Sequence, residues 1–274
     1  IQVPGLFIGY LIYDTILLNQ ETKLFYPPES YTQFESYLKW VSHNCDFMLF
    51  GGENTKKDVA RVQQERGWPT PPGAAVKFGT DIVKINLTTK EEDRVLTRLG
   101  ITGEFIITVG TIEPRKNHWT LHRAYQMAMK ADFINLPQLV FCGRPHGAVG
   151  DLMDVIERNP DLDGRIIVVS PTDEELAVLY KRCRFTLLPS LYEGWSLTLP
   201  ESLGQGKFCL TADTPPLREI ADGIVDFAAP FDTRLWADKI ISYSSDDKLL
   251  AQYEKKIAEK WHNTSWFECA QNIH

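Results

Sequence analysis

From Glu104 onward, short apolar runs alternate with helical patterns, and nothing else in the chain constrains its fold as tightly. Residues 105–110, 138–143, 165–169, 185–188 and 207–211 read as strands, and 117–130, 151–158, 173–182, 198–205 and 217–221 as helices. Alternation on this spacing builds βαβ units and a parallel, doubly wound α/β sheet. Phe105-Ile106-Ile107-Thr108-Val109-Gly110 is nearly continuous in apolar character, as a strand covered on both faces must be. Thr172 and Glu175 have the spacing of a capping box, which fixes one helix start. Sheets of this kind bind ligands beyond the carboxyl ends of their strands, so candidate site residues are sought at the strand-to-helix junctions.

Two junctions carry chemistry. Glu193 ends a buried-looking run, and Glu201 follows eight positions later, across Gly194-Trp195-Ser196-Leu197-Thr198-Leu199-Pro200. Pro200 suits the first helical position, where its missing N–H costs nothing, and Glu201 then falls in the first turn. The free amides around Leu197 and Thr198 form an anion site with a carboxylate on either side. A capped helix with two solvated acids satisfies the same pattern. At the other junction, Thr111-Ile112-Glu113-Pro114-Arg115-Lys116-Asn117 follows the strand that Gly110 ends. Asn117 is a good N-cap, and the adjacent cations Arg115 and Lys116 suit a diphosphate, although a basic turn in solvent reads the same way.

Gly110-Thr111-Ile112-Glu113-Pro114-Arg115-Lys116-Asn117, Pro189-Ser190-Leu191-Tyr192-Glu193-Gly194-Trp195 and Pro200-Glu201-Ser202-Leu203 together resemble the donor half of the family 4 glycosyltransferases. The resemblance runs from about Glu104 to Trp266 and includes Thr172-Asp173-Glu174-Glu175-Leu176 and Leu217-Arg218-Glu219-Ile220-Ala221. It is closest to the mannosyl- and glucosyltransferase-like subgroup with Pro-Arg-Lys-Asn. It implies a GT-B architecture, two Rossmann-like domains facing a cleft, and retaining transfer of a hexose from a nucleoside-diphosphate sugar to a glycan or lipid-linked hydroxyl. In that picture Glu193, Arg115 and Lys116 are catalytic. Glu201, Gly110, Thr111, Gly194, Trp195, Ser196, Leu197 and Thr198 line the donor site; Gly143 and Arg144, where a strand ends, fit either the lining of the nucleotide pocket or a plain loop. Glu193 would hold the sugar, Glu201 the ribose, and a donor phosphate oxygen would take the acceptor's proton on the front face. Three departures stand out: Tyr13-Asp14 where the family has His-Asp, Thr111 where an Arg is common, and Ser196 where Gly is frequent.

The resemblance divides the chain into residues 1–98 as the remainder of an acceptor-side domain, 99–244 as the donor domain, and 245–274 as a helical tail. The tail is expected to cross back to the first domain, anchored by Trp261, Trp266 and Phe267. The first domain is shorter than a GT-B amino-terminal half and is expected to lack its front. In it, a helical pattern over Tyr31–Ser42 leads to a strand at Asp46–Phe50, then to a helix capped by Asn54 or Thr55. Residues 67–73 are a Pro- and Gly-rich loop, and 86–100 a linker and short helix. The apolar start Ile1–Leu18 is broken by Pro4, Gly5, Gly9 and Asp14 and has no basic leader, so it reads as buried strands and not as a membrane segment.

Composition narrows the partners. A net charge of −7 with no basic tract argues against nucleic acid. Five scattered cysteines without metal spacing read as reduced thiols of a cytoplasmic protein, with peripheral association at the inner membrane face open to it. No metal cofactor is expected, because Arg115 and Lys116 can neutralise the phosphates. His118 and His122 are zinc-compatible but lack a third ligand nearby in sequence, and Asp161-Leu162-Asp163 reads as a turn. Other readings are a non-transferring GT-B enzyme, such as an epimerase or phosphorylase, and a nucleotide-sugar-binding subunit without turnover.

Overall fold

The computed structural model describes residues 5–81, 85–131 and 136–273. Two all-parallel sheets carry the chain. The first is built from β1 (Gly9–Ile12), β2 (Phe47–Gly51) and β3 (Gly73–Val76), in that order, with α1 (Pro28–Asn44) and α2 (Glu53–Arg66) as crossovers. After α3 (Thr89–Arg98) come β4 (Phe105–Val109), α4 (His118–Lys130), β5 (Gln138–Cys142), α5 (Gly150–Arg158), β6 (Ile166–Val169) and α6 (Asp173–Arg182). They are followed by β7 (Thr186–Leu188), α7 (Thr198–Gly204), β8 (Cys209–Ala212), α8 (Pro215–Ala221), β9 (Asp226–Ala228) and α9 (Thr233–Ser245). The second sheet has the order β6-β5-β4-β7-β8-β9. The strand order therefore reverses between β4 and β7, which meet at Ile107 and Thr186.

The alternation read from the sequence returns as these elements, and the capping box at Thr172 and Glu175 forms. A second box, Thr88 with Glu91, starts α3. Three helix starts differ from expectation. α7 begins at Thr198, so Pro200 is its third residue, still within the first turn, where an N–H has no partner. Asn117 is not a side-chain cap: its φ of 56° is left-handed, and its amide reaches out to the Pro189 and Pro230 carbonyls. α2 starts at Glu53, so Asn54 and Thr55 lie inside it.

The apolar start is also corrected. Residues 1–4 lie outside the described residues. Beyond them stands one short strand at the sheet edge, with Leu6 57% and Phe7 78% exposed. At the other end, α10 (Asp247–Lys260) leads to α11 (Trp266–Ile273), which lies against the first sheet. Thr80 N–H donates to Thr264 O at 2.7 Å, Asn263 donates to Thr80 O, and the Trp266 ring is 6.1 Å from Phe78. Trp261 packs on the second core, but Phe267 is 72% exposed and anchors nothing.

That second core is closed by aromatic packing. Phe208 is fully buried, with ring centres 4.4 Å from Tyr243 and 4.5 Å from Tyr253. A Phe208→Ala variant should lose about 3–5 kcal/mol in urea unfolding, since neighbours in a close-packed core relax only partly into the cavity. A loss below about 1 kcal/mol would contradict this packing.

Candidate active site

The loops after β4 and β7 leave the carboxyl ends of the two adjacent strands that flank the reversal, and this brings the two sequence motifs together. Pro114-Arg115-Lys116 forms a single 3-10 turn, and the Glu193 loop lies against it. Arg115 Nη1 donates to Glu193 Oε2 at 2.9 Å, and Lys116 Nζ to Glu193 Oε1 at 2.7 Å. Glu193 is 5% exposed. Burial works against its ionisation, but the charges of Lys116 and Arg115 outweigh it and hold the carboxyl at about 2.

The two cations are not equivalent. Arg115 also donates from Nη1 to Tyr192 O at 2.8 Å, from Nη2 to Glu113 Oε1 at 2.7 Å, and from Nε to the Tyr26 hydroxyl at 3.3 Å. Four of its five N–H groups are thus committed, and its role is that of a strut. Lys116 crosses Gly110 to reach Glu193, its one hydrogen-bond partner among the described residues. Tyr26 and Glu113 escaped the sequence reading, because nothing in spacing links a tyrosine of the first sheet to a turn of the second.

Tyr13-Asp14 does reach the site. A Cβ on Gly194 would stand 2.4 Å from Asp14 Cβ and 2.6 Å from Tyr13 O, so only glycine lets the loop pass. Burial raises the Asp14 carboxyl, against the pull of the Ile16 amide and the Arg115 charge. The Tyr13 ring stacks on Phe78 at 4.8 Å, and burial together with Asp14, Glu193 and Glu201 raises its hydroxyl. Tyr192 OH bonds Asp58 of α2, tying the Glu193 loop to the first sheet.

Glu201 sits on the first turn of α7, accepting from Tyr180 OH at 2.8 Å, and burial raises its carboxyl. It borders a small cleft of about 100 Å³ lined also by Asp81, Asp173, Leu176, Ala177, Tyr180 and Gln205. Leu197 and Thr198 are half-buried between the two glutamates, and Ser196 is buried with its hydroxyl unpartnered among the described residues. The Trp195 side chain is part of the core. Gly143 packs on the Gly110 carbonyl, whereas Thr111 and Arg144 are exposed at the rim. His118 is buried edge-on to Phe141, and burial with Lys116 nearby lowers it to about 3. No group of three or more His, Cys, Asp or Glu side chains is gathered as for a metal among the described residues.

A family model described as "Glycosyl transferases group 1" matches residues 89–260, well over half the chain. The chain belongs to the group 1 glycosyl transferases. Among curated relatives, the serotype-specific mannosyltransferase WbdA of Escherichia coli is 25% identical over 99% of this chain and 33% of its own length. The O-antigen chain mannosyltransferase B of Escherichia coli is 27% identical over 60% of this chain and 43% of its own. The chain thus spans about a third of the length of WbdA. Anabaena Alr3699/HepE, solved in complex with UDP-glucose, is similar with a TM-score of 0.78 at 15% identity, over 97% of this chain and 71% of that one. TarM gives a TM-score of 0.64 at 16% identity, over 88% and 46%. This group 1 member therefore has the GT-B fold.

The pairing of Glu193 has a measurable signature. Its folded carboxyl titrates at about 2 against an ordinary 4.5, so its contribution is complete above pH 4.5 and is lost as pH falls toward 2. Glu193→Gln should cost about 3–5 kcal/mol at neutral pH, because it strands buried Arg115 and half-buried Lys116. By urea unfolding, that deficit should be flat from about pH 7 to 5 and shrink below about 4.5. A deficit that grows on acidification would contradict the pairing.

Proposed function

We propose that this chain is the nucleotide-sugar half-site and catalytic cleft of a retaining hexosyltransferase. It would transfer from a nucleoside-diphosphate sugar to a hydroxyl of a glycan, free or lipid-linked. The observation that carries this reading is the side-by-side position of Lys116 and Glu193 where the strand order reverses. The family match and the mannosyltransferase relatives support it.

Lys116 and the amides of Leu197 and Thr198 take the diphosphate, Glu193 the sugar hydroxyls, and Glu201 with the Tyr180 hydroxyl the ribose, next to the cleft described above. Arg115 positions Glu193. As the bond from the anomeric carbon to the phosphate oxygen breaks, negative charge grows on the leaving diphosphate and positive charge on the sugar. The acceptor oxygen bonds the anomeric carbon on the same face, and its proton passes to the departing phosphate oxygen. Groups aimed at the growing charge accelerate the step more than they tighten binding. Lys116 supplies fixed positive charge to the phosphates, so no metal cofactor is proposed. No helix of the described residues is long and apolar enough to cross a membrane, and a lipid-linked acceptor would be met at a membrane surface.

Thermal-shift titration with GDP- and UDP-sugars tests the donor, since a ligand of the folded state raises its melting temperature by mass action. Lys116→Ala should lower turnover of the stabilising donor by about 10²–10³-fold. Glu201→Ala should weaken nucleoside-diphosphate binding by about 1.5–3 kcal/mol, as hydrogen bonds to a charged group are lost. Free sugar or sugar phosphate as the sole product would favour a non-transferring enzyme. Nucleotide binding without turnover would favour a binding subunit.

A further inference from the structure

The segment Leu217-Arg218-Glu219-Ile220-Ala221 belongs to α8 and has no part in the chemistry above. Leu217, Ile220 and Ala221 are buried. Arg218 is satisfied locally, donating to Asp213 and Asp222 at 2.8 Å each and lying 4.4 Å over the Phe227 ring. Glu219 instead turns across the cleft to the first sheet. Its Oε1 accepts the Glu53 N–H at 2.6 Å, and its Oε2 the Asn54 N–H at 2.8 Å. The Asn54 side-chain amide also donates to Glu219 and, at 3.1 Å, to Pro215 O.

These are the leading amides of α2, whose own N-cap position is Gly52 with no side chain to offer. A helix start needs a carboxylate or hydroxyl for those amides and favours negative charge there. Here the group comes from the opposite sheet, more than 160 residues away in sequence. The fit is close: φ at Gly52 is +91°, and a Cβ there would lie 3.0 Å from Glu219 Oε1 and 3.1 Å from the Trp195 ring. One turn further along α2, Asp58 receives the Tyr192 hydroxyl, and Tyr192 immediately precedes Glu193. So α2 is held from the donor side at two points, one of them the catalytic loop itself.

We propose that Glu219 is a positioning residue, a latch whose docking on the start of α2 closes the first sheet over the donor site and steadies the Tyr192–Glu193 loop. Its consequence for turnover rests on the function proposed above; its structural part does not. With Glu219 undocked, α2 loses its cap, and the two sheets open more readily about their remaining ties, Tyr192 to Asp58 and Arg115 to Tyr26.

The test uses spin labels on Ala60→Cys and Asp238→Cys, exposed sites on α2 and α9, in a Cys45→Ser background. Pulsed electron resonance should give one narrow distance distribution with Glu219 present, and a broader, longer one for Glu219→Ala. The docked population should fall about tenfold to hundredfold relative to the open one. Asn54→Ala removes the reciprocal side chain and should shift the distribution the same way. The double variant should fall short of the sum of the two single effects, because both remove one interaction. Calorimetry with GDP and UDP should find affinity changed by less than about threefold in Glu219→Ala, while nucleoside-diphosphate release from the bound donor slows about tenfold or more. If circular dichroism shows Glu219→Ala unfolded, Asn54→Ala decides alone. Distributions unchanged in the folded variants would overturn the latch. A wild-type protein that binds no nucleotide would instead overturn the proposed function and leave the distance result standing.

Discussion

One buried carboxylate shared by two cations organises this molecule's cleft. Glu193 faces Arg115 and Lys116 because β4 and β7 are neighbours, and they are neighbours because the sheet reverses its strand order between them. In a parallel sheet the loops that leave such a pair part to opposite faces and open a crevice between them. The candidate site residues Arg115, Lys116 and Glu193 lie at that crevice. The apolar strands fix where the loops begin, and the charges decide how the loops fold against each other.

The crevice is not the property of one sheet. Tyr26 and Asp14 of the first sheet's segment reach the Arg115–Glu193 pair, and Tyr192 reaches back to Asp58. Glycine at 194 lets the loop approach Asp14 within a distance that no side chain would allow. The charge that Arg115 brings is therefore shared among Glu193, Glu113 and two oxygens that carry no charge. Such saturation lowers the cost of burying a guanidinium, and it leaves Lys116 as the cation whose donors can be redirected.

Strands β4 to β8 were legible in the sequence because they are mostly apolar and their crossovers are short, whereas β9, three residues opening on Asp226, and α9 after it gave no such run and went unread. Periodicity alone locates such elements to within a residue or two. The motifs at 110–117 and 189–203 were legible because they sit where those periodic runs stop. What stayed hidden depended on contacts remote in sequence. Asn54 and Thr55 look like caps of α2, but the capping group is Glu219 from the other sheet. Pro200 looks like a first helical residue, yet the turn tightens two residues earlier. Tyr26, Glu113 and Tyr180 carry no spacing signal, since each acts through a partner brought near only by the tertiary fold. Arg115 and Lys116 look alike as a basic pair and differ only in how many of their donors are already taken.

Two cations so close together cannot be buried without a counter-charge, because desolvation would cost more than the fold could recover. Glu193 supplies that charge and keeps Lys116 ordered in the cleft. A diphosphate entering between Lys116 and the start of α7 brings negative charge of its own, so the Lys116–Glu193 bond can exchange for a Lys116–phosphate bond with little change in the charge balance. Glu193 stays fixed by Arg115 during that exchange, which leaves its Oε1 free for sugar hydroxyls in the proposed reaction. In the proposed reaction, the division of labour between a committed arginine and an uncommitted lysine would thus let one carboxylate serve as counter-ion first and as a sugar ligand afterwards.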